Sequence, residues 1–198
     1  MVGVIDYGAG NLKSVTNALK YLSLDSIIVS DKKDFDRCSH IILPGVGAFS
    51  DAMASLNASG LREKIEEFVK SGKHILGICL GMQMFFEKSY EDGEYEGLGF
   101  MKGDVTKFDI DLKVPHIGWN EAVLTKESAL FRGIDDRNFY FVHSYYVNAE
   151  NKDILARTEY GIEFTSAVEY GNIHATQFHP EKSGESGLRI LKNFGGLE

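Results

Sequence analysis

The sequence predicts an α/β fold: a mostly parallel sheet covered by helices on both faces and extended by antiparallel strands in the second half. Three observations carry this reading. Over the first half, short apolar runs alternate with stretches of helical periodicity, the pattern of a parallel sheet buried under helices. The second half is instead one β-type segment after another, with Asn-, Asp- and Gly-containing turns between them. At 198 residues, with 43% apolar and 25% charged residues, the chain is long enough to bury a substantial core and has the composition of a soluble globular protein.

"VGVID" (2–6) is a β-rich run closed by Tyr7-Gly8-Ala9-Gly10. Leu12, Val15, Leu19 and Leu22 then recur at helical spacing. "SIIVS" (26–30) and "HIILPG" (40–45) read as two more buried strands, and Ile65, Phe68 and Val69 mark the apolar face of a helix over 61–70. "HILGIC" (74–79) is the next strand and "LGMQMFFEK" (80–88) the next helix. In the second half "FYFVHSYYV" (139–147), "ILART" (154–158), "TSAVEY" (165–170) and "IHATQF" (173–178) read as strands, and a last helix covers 185–194. No repeat, low-complexity tract or linker divides the chain, so residues 1–198 are expected to form a single domain.

Charge and composition exclude several roles. The net charge is −8, with 21 basic against 29 acidic residues and no basic patch, which argues against a nucleic-acid partner. No apolar run approaches the roughly eighteen residues of a membrane span, and the amino terminus lacks the pattern of a secretion signal. Two cysteines, Cys38 and Cys79, make no disulfide framework, so a reduced, cytoplasmic chain is expected.

Cys79 lies in "GICLG", where an apolar strand gives way to a helix. That is the form of a nucleophile elbow, in which a reactive side chain occupies a strained turn and the flanking glycines, Gly77 and Gly81, prevent clashes. The following helix would present its amino end to the sulfur, and the Leu80 N–H would point at an oxyanion beside it. A cysteine nucleophile needs a base. In "QFHPEKS" (177–183) His179 ends a strand-like run and Glu181 lies two residues on, close enough in extended backbone to hydrogen-bond one imidazole nitrogen. The turn in "LPGVGAF" (43–49) leaves the N–H groups of Val46 and Gly47 free to donate to an oxyanion. Each piece has a plainer reading: a buried structural cysteine, a His-Pro turn, an ordinary glycine turn.

Together, "PGVG", "GICLGMQ" and "QFHPEKS" resemble, in this order, a class I, triad-type glutamine amidotransferase over nearly the whole chain. The resemblance implies Cys79 as nucleophile on the glutamine side-chain amide, His179 as base and Glu181 as its partner, with no cofactor. "IDYGAGNLKSV", "PHIGWN" (115–120) and "YFVHSYY" (140–146) further resemble the glutaminase subunits of imidazole glycerol phosphate synthases, of histidine biosynthesis. That likeness implies that Gly47, Gln83 and Glu91 help hold L-glutamine, with His143, Ser144 and Tyr145 lining the other side. It also implies a (β/α)8-barrel synthase subunit as partner, which receives ammonia through its interior, and an oxyanion turn at Pro44–Gly47 that is poorly formed until that partner binds its nucleotide ligand. Trp119, Tyr140 and Lys182 are the candidates for the docking face.

Rival readings are weaker. "GAGNLK" (8–13) has Lys13 where a dinucleotide fingerprint needs its third glycine. His116, His143, His174 and His179 are scattered along the chain without metal-ligand spacing. A cysteine hydrolase on a related sheet would share the elbow without needing Gln83 or a barrel partner, and an interaction module would keep only the fold.

Overall fold

The computed structural model describes residues 1–198. The first half is built from β1 (Val2–Ile5), α1 (Leu12–Tyr21), β2 (Ser26–Val29), β3 (His40–Gly45), α2 (Phe49–Ser59), α3 (Arg62–Lys70) and β4 (His74–Cys79). The strands run parallel in the order β2-β1-β3-β4, paired at Val4↔Ile28, Val4↔Ile42 and Ile42↔Leu76. Because successive strand residues face opposite ways, each strand feeds two cores. Ile41, Leu43 and Ile75 pack with Phe49 and Leu56 of α2 and Phe68 of α3 on one face. Ile42, Leu76 and Ile78 pack with Val15 and Leu19 of α1 on the other. Each fully buried Leu, Ile or Phe contributes roughly 1.5–3 kcal/mol of transfer free energy.

The expected helix over 80–88 is one turn only, α4 (Leu80–Gln83). Its backbone tightens into i→i−3 bonds, from Phe85 N–H to the Met82 carbonyl and from Phe86 N–H to the Gln83 carbonyl. The Glu87 N–H then turns to the Gly103 carbonyl, and the chain enters β5 (Lys88–Ser89), β6 (Tyr95–Glu96) and β7 (Gly103–Lys107). Sheet pairing outcompetes the helical periodicity of Met82, Phe85 and Phe86.

β8 (His116–Glu121), β9 (Val123–Leu124), β10 (Asn138–His143), β11 (Tyr145–Ala149), β12 (Ile154–Tyr160), β13 (Ile162–Tyr170) and β14 (Ile173–Thr176) follow, and α5 (Gly184–Gly195) closes the chain. The run expected as one strand over 139–147 is two strands in different sheets. β10 pairs with β8 as a separate antiparallel ribbon, whereas β11 joins the main sheet beside β7 and β13, the change falling at Ser144. β14 is parallel to β4 and antiparallel to β13, so it is both the fifth strand of the parallel core and the start of the antiparallel extension. α5 covers the α1 face through Ile190, Leu191 and Phe194.

The consequence for function is positional. The carboxyl ends of three adjacent parallel strands, β3, β4 and β14, deliver the Pro44–Gly47 turn, Cys79 and the segment 177–181 to one edge of the sheet. Clefts in α/β sheets form at this edge.

Candidate active site

Cys79 is the last residue of β4 and sits at φ +55, ψ −108, a left-handed conformation that non-glycine residues rarely take. The glycines around it are required. A Cβ at Gly81 would land on the Leu43 carbonyl oxygen, and one at Gly77 would lie 2.8 Å from the Gly81 oxygen and the Phe85 ring. The elbow is thus held between β3 and α4 with no room for side chains. One helical turn sums few aligned peptide dipoles, so any help for the sulfur comes chiefly from neighbouring side chains rather than from a long helix.

His179 follows β14 in extended backbone, and Pro180–Lys182 then forms a 3-10 turn with the proline at its first position. The contact between His179 and Glu181 is therefore made across a tight turn rather than along a continuing strand. Nδ1 of His179 lies 2.9 Å from Oε1 of Glu181, and both side chains are buried. Because the carboxylate is an acceptor, Nδ1 carries the proton and Nε2 is left as the basic nitrogen. Nε2 is buried without a hydrogen-bond partner. Burial works against a charged ring here, but the Cys79 sulfur and the Glu181 carboxylate outweigh it and lift His179 to about 10. At neutral pH such a ring keeps a proton that it takes from the sulfur.

Around Cys79 lies a cavity of about 300 Å³. Val46, Gly47, Leu80, Gln83 and Glu91 line it together with His143, Ser144 and Tyr145. All the residues expected to hold glutamine are brought to this single cavity. Val142 also lines it, and its carbonyl lies 3.8 Å from the Cys79 sulfur. Nothing in the sequence pointed to Val142, because its placement depends on the break between β10 and β11. Gly47 takes φ +92 with open space where a Cβ would sit, and the Tyr7 hydroxyl donates to the Pro44 carbonyl at 2.9 Å, tethering the start of this turn.

Glu91 is not merely part of the acidic run "EDGEYE". Its Oε2 accepts the Phe49 N–H at 2.7 Å and so caps α2, whose own N-cap residue Ala48 has no side chain to do so. Burial, together with Asp92 and Asp51, raises Glu91 above its ordinary value despite that bond. A charged ammonium against its free oxygen would relieve this.

The histidines are not scattered in space. β8 and β10 set His116 opposite His143, with His116 Nδ1 at 3.1 Å from His143 Nε2. His143 Nδ1 lies 2.8 Å from the Tyr145 carbonyl and must donate to it. Nε2 of His143 then accepts from His116, whose own Nε2 faces the Asn120 amide at 3.4 Å. Both rings are neutral links in one chain, and burial pushes His143 down to about 3 and His116 to about 4. His143 therefore has no ring nitrogen free for a ligand. His174 pairs with His74 at 3.0 Å, far along β14 from His179. No trio of His, Cys, Asp or Glu is arranged to hold a metal ion.

Trp119, half-buried Tyr140 and Lys182 form one cluster outside the cavity lining. Trp119 and Tyr140 are cross-strand partners with rings 6.3 Å apart, and the Lys182 ammonium lies 5.9 Å over the Tyr140 ring. No helix is long and apolar enough to cross a membrane.

Residues 3–195 match the family model described as glutamine amidotransferase class-I. The chain belongs to this family. An imidazole glycerol phosphate synthase subunit HisH from Caldanaerobacter subterraneus subsp. tengcongensis is 51% identical, the match covering 100% of this chain and 98% of the relative. Another HisH subunit, from Sulfurimonas denitrificans, is 52% identical over 98% of this chain and 97% of the relative. Among solved structures, one described as a glutamine amidotransferase superposes with a TM-score of 0.76 at 20% identity, covering 99% of both chains, a likeness of fold. The class I amidotransferase architecture expected from the sequence is therefore the observed one.

Proposed function

We propose that this amidotransferase is the glutaminase subunit of an imidazole glycerol phosphate synthase, acting in the cytoplasm with a (β/α)8-barrel synthase subunit. The full-length identity to HisH subunits supports the assignment. The observation that carries the chemistry is the geometry of His179: Nδ1 fixed by Glu181 and a buried, unpaired Nε2 at the end of the strand next to Cys79.

In this reading the Cys79 sulfur attacks the side-chain amide carbon of L-glutamine and its proton passes to His179 Nε2. The oxyanion is received by the N–H groups of Leu80 and of the Val46–Gly47 turn. His179 returns the proton to the departing nitrogen, ammonia leaves, and a glutamyl thioester remains on Cys79. Water then attacks the thioester with His179 again as base, releasing glutamate. Glu91 takes the substrate ammonium, while Gly47, Gln83, His143, Ser144 and Tyr145 shape the rest of the site. Ammonia passes into the barrel, away from water that would protonate it. Trp119, Tyr140 and Lys182 contribute to the docking face. The whole chain, residues 1–198, acts as a single amidotransferase domain.

Interception of the thioester tests this chemistry. With hydroxylamine competing against water, the complex is expected to convert glutamine into γ-glutamyl hydroxamate, and Cys79→Ala to make none. Hydroxamate formation undiminished in Cys79→Ala would refute the covalent route.

A further inference from the structure

The chain contains two glutamines, Gln83 and Gln177, and both are buried in one hydrogen-bonded network at the sulfur. Nε2 of Gln83 donates at 3.1 Å to the Tyr145 carbonyl and at 3.1 Å to Oε1 of Gln177, using both of its hydrogens. Gln177 is thereby oriented. Its oxygen faces Gln83, so its Nε2 is the group 3.6 Å from Sγ of Cys79. The backbone holds it there as well. Thr176 pairs with Ile78, which sets residue 177 beside residue 79, and the Gln177 N–H is taken by the Ser166 carbonyl at 2.9 Å.

We infer that the Gln177 side-chain amide is a catalytic hydrogen-bond donor to the Cys79 sulfur, positioning it and stabilising its thiolate. This rests on Cys79 being the nucleophile. The sulfur lies between groups with opposite preferences. The Val142 carbonyl at 3.8 Å can only accept and so suits the thiol, whereas the Gln177 amide can donate and suits the thiolate. When the proton passes to His179 the bond to Val142 is lost, and the bond from Gln177 becomes charge-assisted and stronger. Gln83 lines the cavity, so the side chain that fixes Gln177 is itself in reach of the substrate.

The test is the pH dependence of Cys79 alkylation by iodoacetamide, read on the Cys79 peptide by mass spectrometry in the full chain. Gln177→Glu keeps the shape and the acceptor for Gln83 but removes the donor, and Gln177→Leu removes both. The inflection is expected to move up by about one pH unit in either variant, an approximately tenfold loss of alkylation rate at neutral pH. An unmoved inflection in a variant that melts as a folded protein overturns the inference. Should neither variant fold, the wild-type chain with 15N-labelled glutamine decides. Of its two side-chain amide signals, that of Gln177 must shift with the Cys79 alkylation inflection, and a signal indifferent to it overturns the inference. Glutamate release retained by Cys79→Ala would instead sink the nucleophile reading, independently of either result at Gln177.

Discussion

Glu181 reaches His179 from two residues away; it orients the imidazole and, with the Cys79 sulfur, keeps it basic. Glu181→Gln preserves the size but not the charge. It is expected to lower kcat by about 10²–10⁴-fold with a smaller change in KM, measured as glutamate release by the assembled complex. The pair His116–His143 makes the opposite statement. Their folded pKa values, about 4 and about 3, lie below the unfolded value, so the unfolded chain binds more protons between those values and about 6.5. Stability from these rings is complete above that window and is lost as pH falls through it. Urea unfolding between pH 4 and 6.5 is therefore expected to show a free energy rising with pH. That slope should shrink by up to about 1.4 kcal/mol per pH unit in His116→Gln. A slope unchanged in the variant would mean that the buried ring is charged in the folded state. The candidate nucleophile, base and orienting carboxylate, Cys79, His179 and Glu181, could be picked out in the sequence because their motifs are local. Gln177 and Val142 could not, because what brings each to the sulfur is a neighbouring strand.

At the level of elements, the strands over 40–45 and 74–79 were legible to the residue, since a fully buried strand admits little but apolar residues between turn signals. The helix Phe49–Ser59 is absent from the sequence-based expectation, although Phe49, Ala52, Met53 and Leu56 stand at helical spacing and Gly60 closes it in the left-handed conformation. The reading of 80–88 as a helix failed because its apolar residues are buried all round and its last backbone groups belong to a sheet. Two-residue strands such as Tyr95–Glu96 have no pattern to read. Gly81→Ala drives a methyl group into the β3 backbone and is expected to destabilise the chain by about 1–3 kcal/mol or more, read from the urea midpoint. Substitution at Glu91 separates its capping of α2 from its proposed contact with the substrate ammonium. Glu91→Gln keeps an acceptor for the Phe49 N–H, so stability should change by less than about 0.5 kcal/mol while KM for glutamine rises about tenfold or more. Glu91→Ala should in addition lose about 1 kcal/mol of cap energy.

At the scale of the whole molecule, the β8–β10 ribbon carries both the Trp119–Tyr140 pair and part of the cavity wall. β10 carries half-buried Tyr140 and ends at His143 in the cavity wall, and β8 pairs with it along its length. Trp119 is 58% exposed, far more than an isolated fold needs of its only tryptophan. Trp119→Ala is expected to weaken assembly with the barrel subunit by about tenfold or more while leaving the melting of the isolated chain nearly unchanged. The central claim, a glutaminase whose activity belongs to a complex, is tested most directly by glutamate release from L-glutamine by the purified chain. The assay compares the chain alone with the chain plus the barrel subunit and its nucleotide ligand, with Cys79→Ala as control. The account predicts slow release alone, strong release in the complex and none from the variant. Release that persists in Cys79→Ala, or its absence from a demonstrated complex, would contradict it.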